Sequence, residues 1–184
     1  MNESFIGKEV FIMYGHLIIL AIFLCIAFYY DAREHRIPNW LNVSGTIVGI
    51  VYHLIVGQLN GFLYSIMGAV VGGVILLILY IFKAIGAGDV KLFVAIGALS
   101  GTLFTLYSIM YSIVYAGLIG LVILLFTKTL FINMTLVLLH MKESFQKRSL
   151  TPLEEFKQHV SNRFPFVYAV VPGVATTFYY MYLV

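Results

Sequence analysis

The sequence has few charged residues and almost no cysteine. Charged side chains make up 10% of the 184 residues, and the mean hydropathy is +0.99. Soluble domains carry about 25% charged residues, so this composition excludes an ordinary soluble domain and predicts an integral membrane protein. The single cysteine, Cys25, lies in an apolar run. One cysteine excludes both an internal disulfide and a cysteine-based zinc site.

Basic residues are also scarce, and they are unevenly placed. The formal net charge is only +3, and neither a basic domain nor a nucleic-acid-binding motif is visible, so nucleic acid is not an expected partner. Ten of the eleven Lys and Arg residues fall within residues 31–40, 83–91 and 128–163, and Lys8 alone lies elsewhere. Such an excess is typical of cytoplasmic segments. We therefore expect these segments inside the cell membrane and both termini outside.

Long apolar runs fill most of the remaining sequence. A helix needs about 20 apolar residues to cross a bilayer. Turn-forming residues divide the runs at Pro38, at residues 57–61 and at Ser100-Gly101-Thr102. The predicted spans are residues 11–30, 41–56, 62–82, about 89–99, about 103–126 and 164–184. The sequence thus predicts an all-α polytopic membrane protein, with residues 1–184 forming one domain, a bundle of six transmembrane helices.

Four further features complete this plan. Residues 1–10 are polar and are interpreted as an exposed leader. Residues 129–141 either extend the fifth helix or lie at the membrane interface, and the polar residues 142–163 form a loop near anionic lipid or, alternatively, a substrate-docking segment. Pro172-Gly173 is expected to bend or interrupt the last helix.

Two aspartates stand at the ends of apolar runs. Asp31 follows the first run, and Asp89 lies in the segment Gly-Ala-Gly-Asp-Val-Lys-Leu. An acid at membrane depth costs at least a few kcal/mol, so it is by default a functional hypothesis. In the six-span plan the helix that ends at Asp31 runs toward the cytoplasm, and the helix that begins at Asp89 runs away from it. Both acids therefore lie at the cytoplasmic edge of the membrane. Two carboxylates about 3 Å apart share a proton and hydrolyse amides, one acting as base and the other as acid.

Each acid also has a structural interpretation. Asp31 caps a helix end or pairs with Arg33 or Arg36 at the surface. Asp89 caps the N-terminus of the fourth helix, a role that is compatible with catalysis. These alternatives remain open from spacing alone.

Five neighbours of the acids are expected to support them. Gly86 and Gly88 allow unusual dihedral angles and close approach, which suits an extended peptide passing alongside. Pro38 and Asn39 shape the turn beside the pair. Lys91 either reaches lipid head groups or tunes the pair.

The histidines do not suggest a metal site. His16 and His53 are isolated, lie in separate predicted spans and show no metal-ligand spacing. They are interpreted as interior polar residues, and His35 as a solvated surface residue. We expect no metal ion and no organic cofactor.

Three segments resemble type IV prepilin peptidases. Asp31-Ala-Arg-Glu-His-Arg-Ile-Pro-Asn is similar to the family's first-aspartate segment. Gly86-Ala-Gly-Asp-Val-Lys-Leu-Phe-Val-Ala-Ile-Gly is similar to its second, and Phe164-Pro-Phe-Val-Tyr-Ala to its late segment that opens the last helix. The three segments occur in the family's order and are distributed over residues 31–169, most of the length of the chain.

The resemblance implies a membrane aspartyl endopeptidase with Asp31 and Asp89 as its catalytic pair. The implied substrates are type IV pilin-like precursors, whose short basic leader is removed at the cytoplasmic face of the cell membrane. Longer family members carry a Cys-x-x-Cys insertion and also methylate the new N-terminus. With Cys25 alone, this chain resembles the short, peptidase-only members.

Two alternatives remain, a related enzyme and a protein of another class. A presenilin-like intramembrane protease is suggested by Tyr30-Asp31 and Gly86-Ala-Gly-Asp, although the Pro-Ala-Leu segment of those proteins is absent. A non-catalytic carrier or assembly factor would use the acids to bind protons or a cation. A leader-cleavage assay separates these possibilities, because a carrier yields no cleaved product.

Overall fold

A computed structural model of the protein describes residues 3–34, 36–126 and 166–183. Across these ranges the chain contains helices and no strand. The helices are α1 (Glu3–Glu34), α2 (Asn39–Ile81), α3 (Ala87–Phe126) and α4 (Val167–Tyr182). The predicted all-α class is confirmed. The interpretations of His35, residues 129–141 and residues 142–163 concern positions outside the described residues.

Three of the four helices are long and apolar enough to cross a membrane. Their candidate spans are Gly15–Glu34, Asn39–Ile81 and Ala87–Ile123. Large apolar side chains are exposed along all three, for example Ile22, Ile55 and Leu121. Lipid is the solvent that such surfaces require, so the chain is a membrane protein. Six crossings remain a prediction.

The first helix is longer at both ends than the predicted span of residues 11–30. It begins at Glu3, within the segment interpreted as an exposed leader, and ends at Glu34. No proline interrupts the chain before Pro38, and the helix therefore extends to its polar end. Pro38 then precedes α2 in an extended conformation, with φ −61° and ψ 136°, as the residue's fixed φ and missing N–H require.

Both long helices are interrupted at predicted turns. Gln58 in α2 has φ 51° and ψ −137°, and Gly101 in α3 has φ 76° and ψ −178°. At the first interruption the chain folds back on itself. Gly61 lies so close to the backbone of His53 that a Cβ on Gly61 would overlap the His53 carbonyl oxygen. The turns predicted at residues 57–61 and at Ser100-Gly101-Thr102 are therefore confirmed as breaks in helical geometry.

The break at Gly101 is stabilised by side chains from α2. A helix end leaves its last carbonyl groups without amide donors, and in a membrane each unsatisfied group costs several kcal/mol. Three successive carbonyls before the break each accept one side-chain hydrogen bond. The bonds run from Ser65 Oγ to Ala98 at 2.7 Å, from His53 Nε2 to Leu99 at 2.9 Å and from the Tyr64 hydroxyl to Ser100 at 2.7 Å. We call these three donors the carbonyl cap.

Residues 87–100 of α3 lie at the centre of the packing. Leu92, Phe93, Ile96 and Leu99 in this segment are 0% exposed. Glycine permits a very close contact between α2 and α3 at Gly68 and Gly97. A Cβ on Gly68 would overlap the carbonyl oxygen of Gly97. Close packing of this kind drives helix association in membranes. Gly68 therefore has a packing role.

The last helix packs against α1 and α3. Ring centroids lie 5.1 Å apart for Phe28 and Tyr168 and 6.4 Å apart for Phe93 and Phe166. α4 continues through Pro172 to Tyr182, so the predicted interruption there is wrong.

Contacts divide the chain into two compact units. One comprises residues 1–116 and 165–184, and the other comprises residues 117–164. In the second unit the described residues are 117–126, which form the C-terminal part of α3. Every site described below belongs to the first unit. The single-domain organisation stays a prediction.

Candidate active site

Asp31 is a buried carboxylate in the last turn of α1. Its side chain is only 7% exposed, which does not fit the interpretation of an ion pair at the surface. The nearby Arg33 is exposed, and its Nη1 donates a hydrogen bond of 2.8 Å to the hydroxyl of Tyr29 on the same helix. The helix thus directs the acid inward and the guanidinium outward.

Asp89 lies in the first turn of α3 and caps that helix. Its Oδ2 accepts a hydrogen bond of 3.1 Å from the backbone N–H of Gly86. Its own N–H donates to the Gly86 carbonyl at 3.2 Å. The predicted capping role is confirmed, although Asp89 is the third helical residue, as in a capping box, and not the N-cap itself. An acid in the first turn also interacts favourably with the helix dipole, by about 0.3–1 kcal/mol.

The two carboxylates lie close to each other. They are near enough for the charge of Asp31 to influence Asp89, although burial and the hydrogen bond from Gly86 influence it more strongly. Two elements far apart in sequence, the end of α1 and the start of α3, therefore meet at one end of the first unit. The sequence predicted this meeting from the direction of successive helices.

A hydrogen bond joins the segments that follow the two acids. Lys91 Nζ donates to Asn39 Oδ1 at 2.8 Å. The contact links the first turn of α3 to the first residue of α2. Lys91 was expected to reach lipid head groups or to tune the acid pair, whereas its amine is bonded to Asn39. Pro38 supports this arrangement by starting α2, and its carbonyl accepts the N–H of Leu41 at 3.1 Å.

The glycines beside Asp89 do not use the left-handed conformations that glycine allows. Among the described glycines only Gly101 has a positive φ. A Cβ on Gly86 would lie 3.2 Å from Asp89 Oδ2, whereas a Cβ on Gly88 would meet none of the described residues within 4 Å. Open space therefore adjoins Asp89 on the Gly88 side.

Sequence reasoning missed a polar cluster far from the acids. The rings of His16 and His53 have centroids 5.6 Å apart, so the interpretation of two isolated histidines is wrong. The sequence feature that could have revealed this contact is the turn between α1 and the first part of α2, which makes the two helices an antiparallel hairpin. The two histidines lie 18 and 19 residues from Glu34, on either side of the hairpin turn. Antiparallel helices bring positions equally distant from their turn to the same level.

The region that contains both acids also matches a known family. A model of the type IV leader peptidase family matches residues 18–125, more than half of the chain. The chain belongs to the type IV leader peptidase family. No curated protein and no solved structure gives a significant match.

Membership of this family indicates a peptidase and therefore a hydrolase. It agrees with the resemblance seen in the segments around Asp31 and Asp89. The third segment of that resemblance, from Phe164, lies beyond the matched residues. Residues 164 and 165 also lie outside the described part of the chain.

Proposed function

We propose that this member of the family is an aspartyl endopeptidase of the cytoplasmic membrane. It removes the basic leader of type IV pilin-like precursors at the cytoplasmic face, with Asp31 and Asp89 as the catalytic pair and without a metal ion or organic cofactor. The proximity of these two carboxylates is the observation that supports the proposal most strongly.

The chemistry follows from a pair that holds one proton. The ionised carboxylate takes a proton from a water molecule, whose oxygen attacks the scissile carbonyl carbon. The protonated carboxyl donates its proton to the carbonyl oxygen. When the tetrahedral gem-diol collapses, the C–N bond breaks and the amine leaves with the proton that the base had taken. One hydroxyl group of the gem-diol at the same time returns its proton to the carboxylate that had acted as the acid, and the carboxylic acid product forms. The pair is then left with one proton, as it began.

The interruptions in α2 and α3 favour six crossings. Gln58 and Gly101 divide these helices into segments 39–57, 59–81, 87–100 and 102–126. With α1 and α4 these make six helical segments. In our proposal they cross the membrane in alternate directions, with both termini outside and the acids at the inner edge, as the placement of Lys and Arg favours.

The open space beside Gly88 suits an extended substrate. A Cβ at this position would meet no atom of the described part of the chain within 4 Å, and Asp89 is the next residue. In our proposal the cleavage site of the precursor lies extended in this space, while its apolar helix stays in the bilayer. The chain's substrate partner is then a membrane-anchored precursor.

Replacement of each acid tests the proposal. Asp31→Asn and Asp89→Asn each remove the shared proton but preserve side-chain shape, so cleavage of a pilin-like precursor should fall by at least about 100-fold. Both variants should still insert into membranes. Glu34→Gln, an exposed acid in the same helical turn as Asp31, is the matched control and should cleave normally. Unimpaired cleavage by either aspartate variant would refute the assignment.

A further inference from the structure

Asn42 is a buried polar side chain that the proposed mechanism does not use. It is 2% exposed, and neither its Oδ1 nor its Nδ2 has a hydrogen-bond partner among the described residues. Its backbone is satisfied, since the carbonyl accepts the Thr46 hydroxyl at 2.8 Å. Buried side-chain amides nearly always have hydrogen-bond partners, so this exception needs an explanation.

The helix places Asn42 beneath the acid pair. Asn39, one turn earlier, accepts the hydrogen bond from Lys91 of α3, and Gly45, one turn later, packs against Phe23 of α1. Residues three apart share a helix face, so Asn42 lies on the face that meets α1 and α3. It lies about 4.5 Å further along α2 than Asn39. Asn42 therefore occupies the layer just inside the level of the acids.

Two neighbouring residues at this level offer the amide no partner. Ala27 lies one turn before Asp31, and Phe93 lies one turn after Asp89. Both side chains are apolar and 0% exposed. Among the described residues, the polar groups toward the cytoplasmic end of this interface are the Lys91 amine, which is hydrogen-bonded to α2, and the two acids.

We propose that Asn42 is a positioning residue that binds a buried water molecule and, through this water, orients the Asp31 carboxylate. The inference rests on the proposed function of the acid pair. An asparagine amide offers donors and acceptors at once, and a buried water needs two to four polar partners. A carboxylate supplies the remaining partner. A fixed orientation of the acid matters for catalysis because polar groups then need not rearrange during the reaction.

A substitution that keeps the branched shape of the side chain separates positioning from a structural role. Asn42→Leu should lower kcat for cleavage of a synthetic pilin-like precursor by at least about tenfold and leave KM within about twofold. Its Tm should change little, because the amide makes no hydrogen bond to another described residue that the substitution would break. An unchanged kcat would overturn the proposal.

A matched control and a conservative rescue keep the test decisive. Ser112→Ala removes a different buried polar group, a hydroxyl that has no hydrogen-bond partner among the described residues and lies beside Gly173 of α4, and it should leave kcat unchanged. Asn42→Ser can still bind water and should retain more activity than Asn42→Ala. Equal activities for these two variants, or an equal loss in Ser112→Ala, would contradict the proposal.

A spectroscopic measurement tests the contact without any substrate. The carboxyl stretching band of Asp31 is assigned by infrared difference spectra of Asp31→Asn, and Asn42→Leu should shift its frequency or its titration midpoint. An unshifted band in an enzyme that cleaves its precursor would overturn the inference and leave the proposed function intact. A shifted band in a protein that cleaves no precursor would refute the proposed function and leave the Asn42 contact intact.

Discussion

The two ends of residues 87–100 in α3 are built differently. At the start, Asp89 and Lys91 make hydrogen bonds that are exposed, and the space beside Gly88 is open. At the other end, the carbonyl cap closes the helix, and all residues from 95 to 101 are buried. One helix thus joins an accessible acid to a fully satisfied, closely packed end.

This difference explains how an acid can remain reachable and yet be held in place. Reactive groups need fixed geometry, and sites on helices are more precise than sites on loops. The capped end supplies the fixed geometry, since three side chains from α2 hold the carbonyls before Gly101. The open end supplies access for water and substrate. Stability and activity should therefore respond to substitutions at opposite ends of this helix.

The largest effect on stability should come from Gly101→Ala. The new side chain would be forced into a left-handed conformation, and its Cβ would overlap the ring of Tyr64. We expect a loss of at least about 2 kcal/mol in the free energy of unfolding, measured by denaturation in detergent. The matched control is Gly88→Ala, at the open end of the same helix. It should change stability by less than about 1 kcal/mol. Equal losses would remove the contrast between the ends.

Removal of one hydrogen bond of the carbonyl cap should have a smaller effect. Tyr64→Phe leaves the Ser100 carbonyl without its donor and should lower stability by about 1 kcal/mol, with precursor cleavage unchanged below the melting temperature. Tyr107→Phe, an exposed tyrosine of α3, is the control and should change neither property. A loss of cleavage without a loss of stability would show that the capped end takes part in catalysis.

The smallest effect should come from the bond between Lys91 and Asn39. A double-mutant cycle with Lys91→Met and Asn39→Leu should give a coupling free energy of at most about 1 kcal/mol, because the bond is exposed. The corresponding cycle with Lys83→Met, an exposed lysine that follows α2, should give no coupling. A coupling of several kcal/mol would mean that the open end is as rigid as the capped end.

The features predicted from sequence depend on local signals. Pro38 and the segment Ser100-Gly101-Thr102 disfavour helical geometry through their own local chemistry, so these turns were visible in the sequence. Once the turns were known, the direction of each segment placed Asp31 and Asp89 at one end. Local capping by Asp89 was visible for the same reason.

The features that were missed depend on tertiary contacts. His53 and Leu99 are 46 residues apart, and Tyr64 and Ser100 are 36 apart, and no motif links either pair. A histidine in an apolar run gives no indication of which carbonyl it will meet. The continuation of α4 through Pro172 is a tertiary effect too, because α1 and α3 hold the helix in place on both sides of the proline.

The pH dependence of precursor cleavage tests the central claim most directly. If Asp31 and Asp89 act as a pair with one proton, kcat should rise with pH as the first carboxyl group ionises and fall again as the second ionises, which gives a bell-shaped profile. Glu34→Gln should reproduce this profile. A rate that stays constant from acid to alkaline pH, in protein that remains folded, would contradict the account.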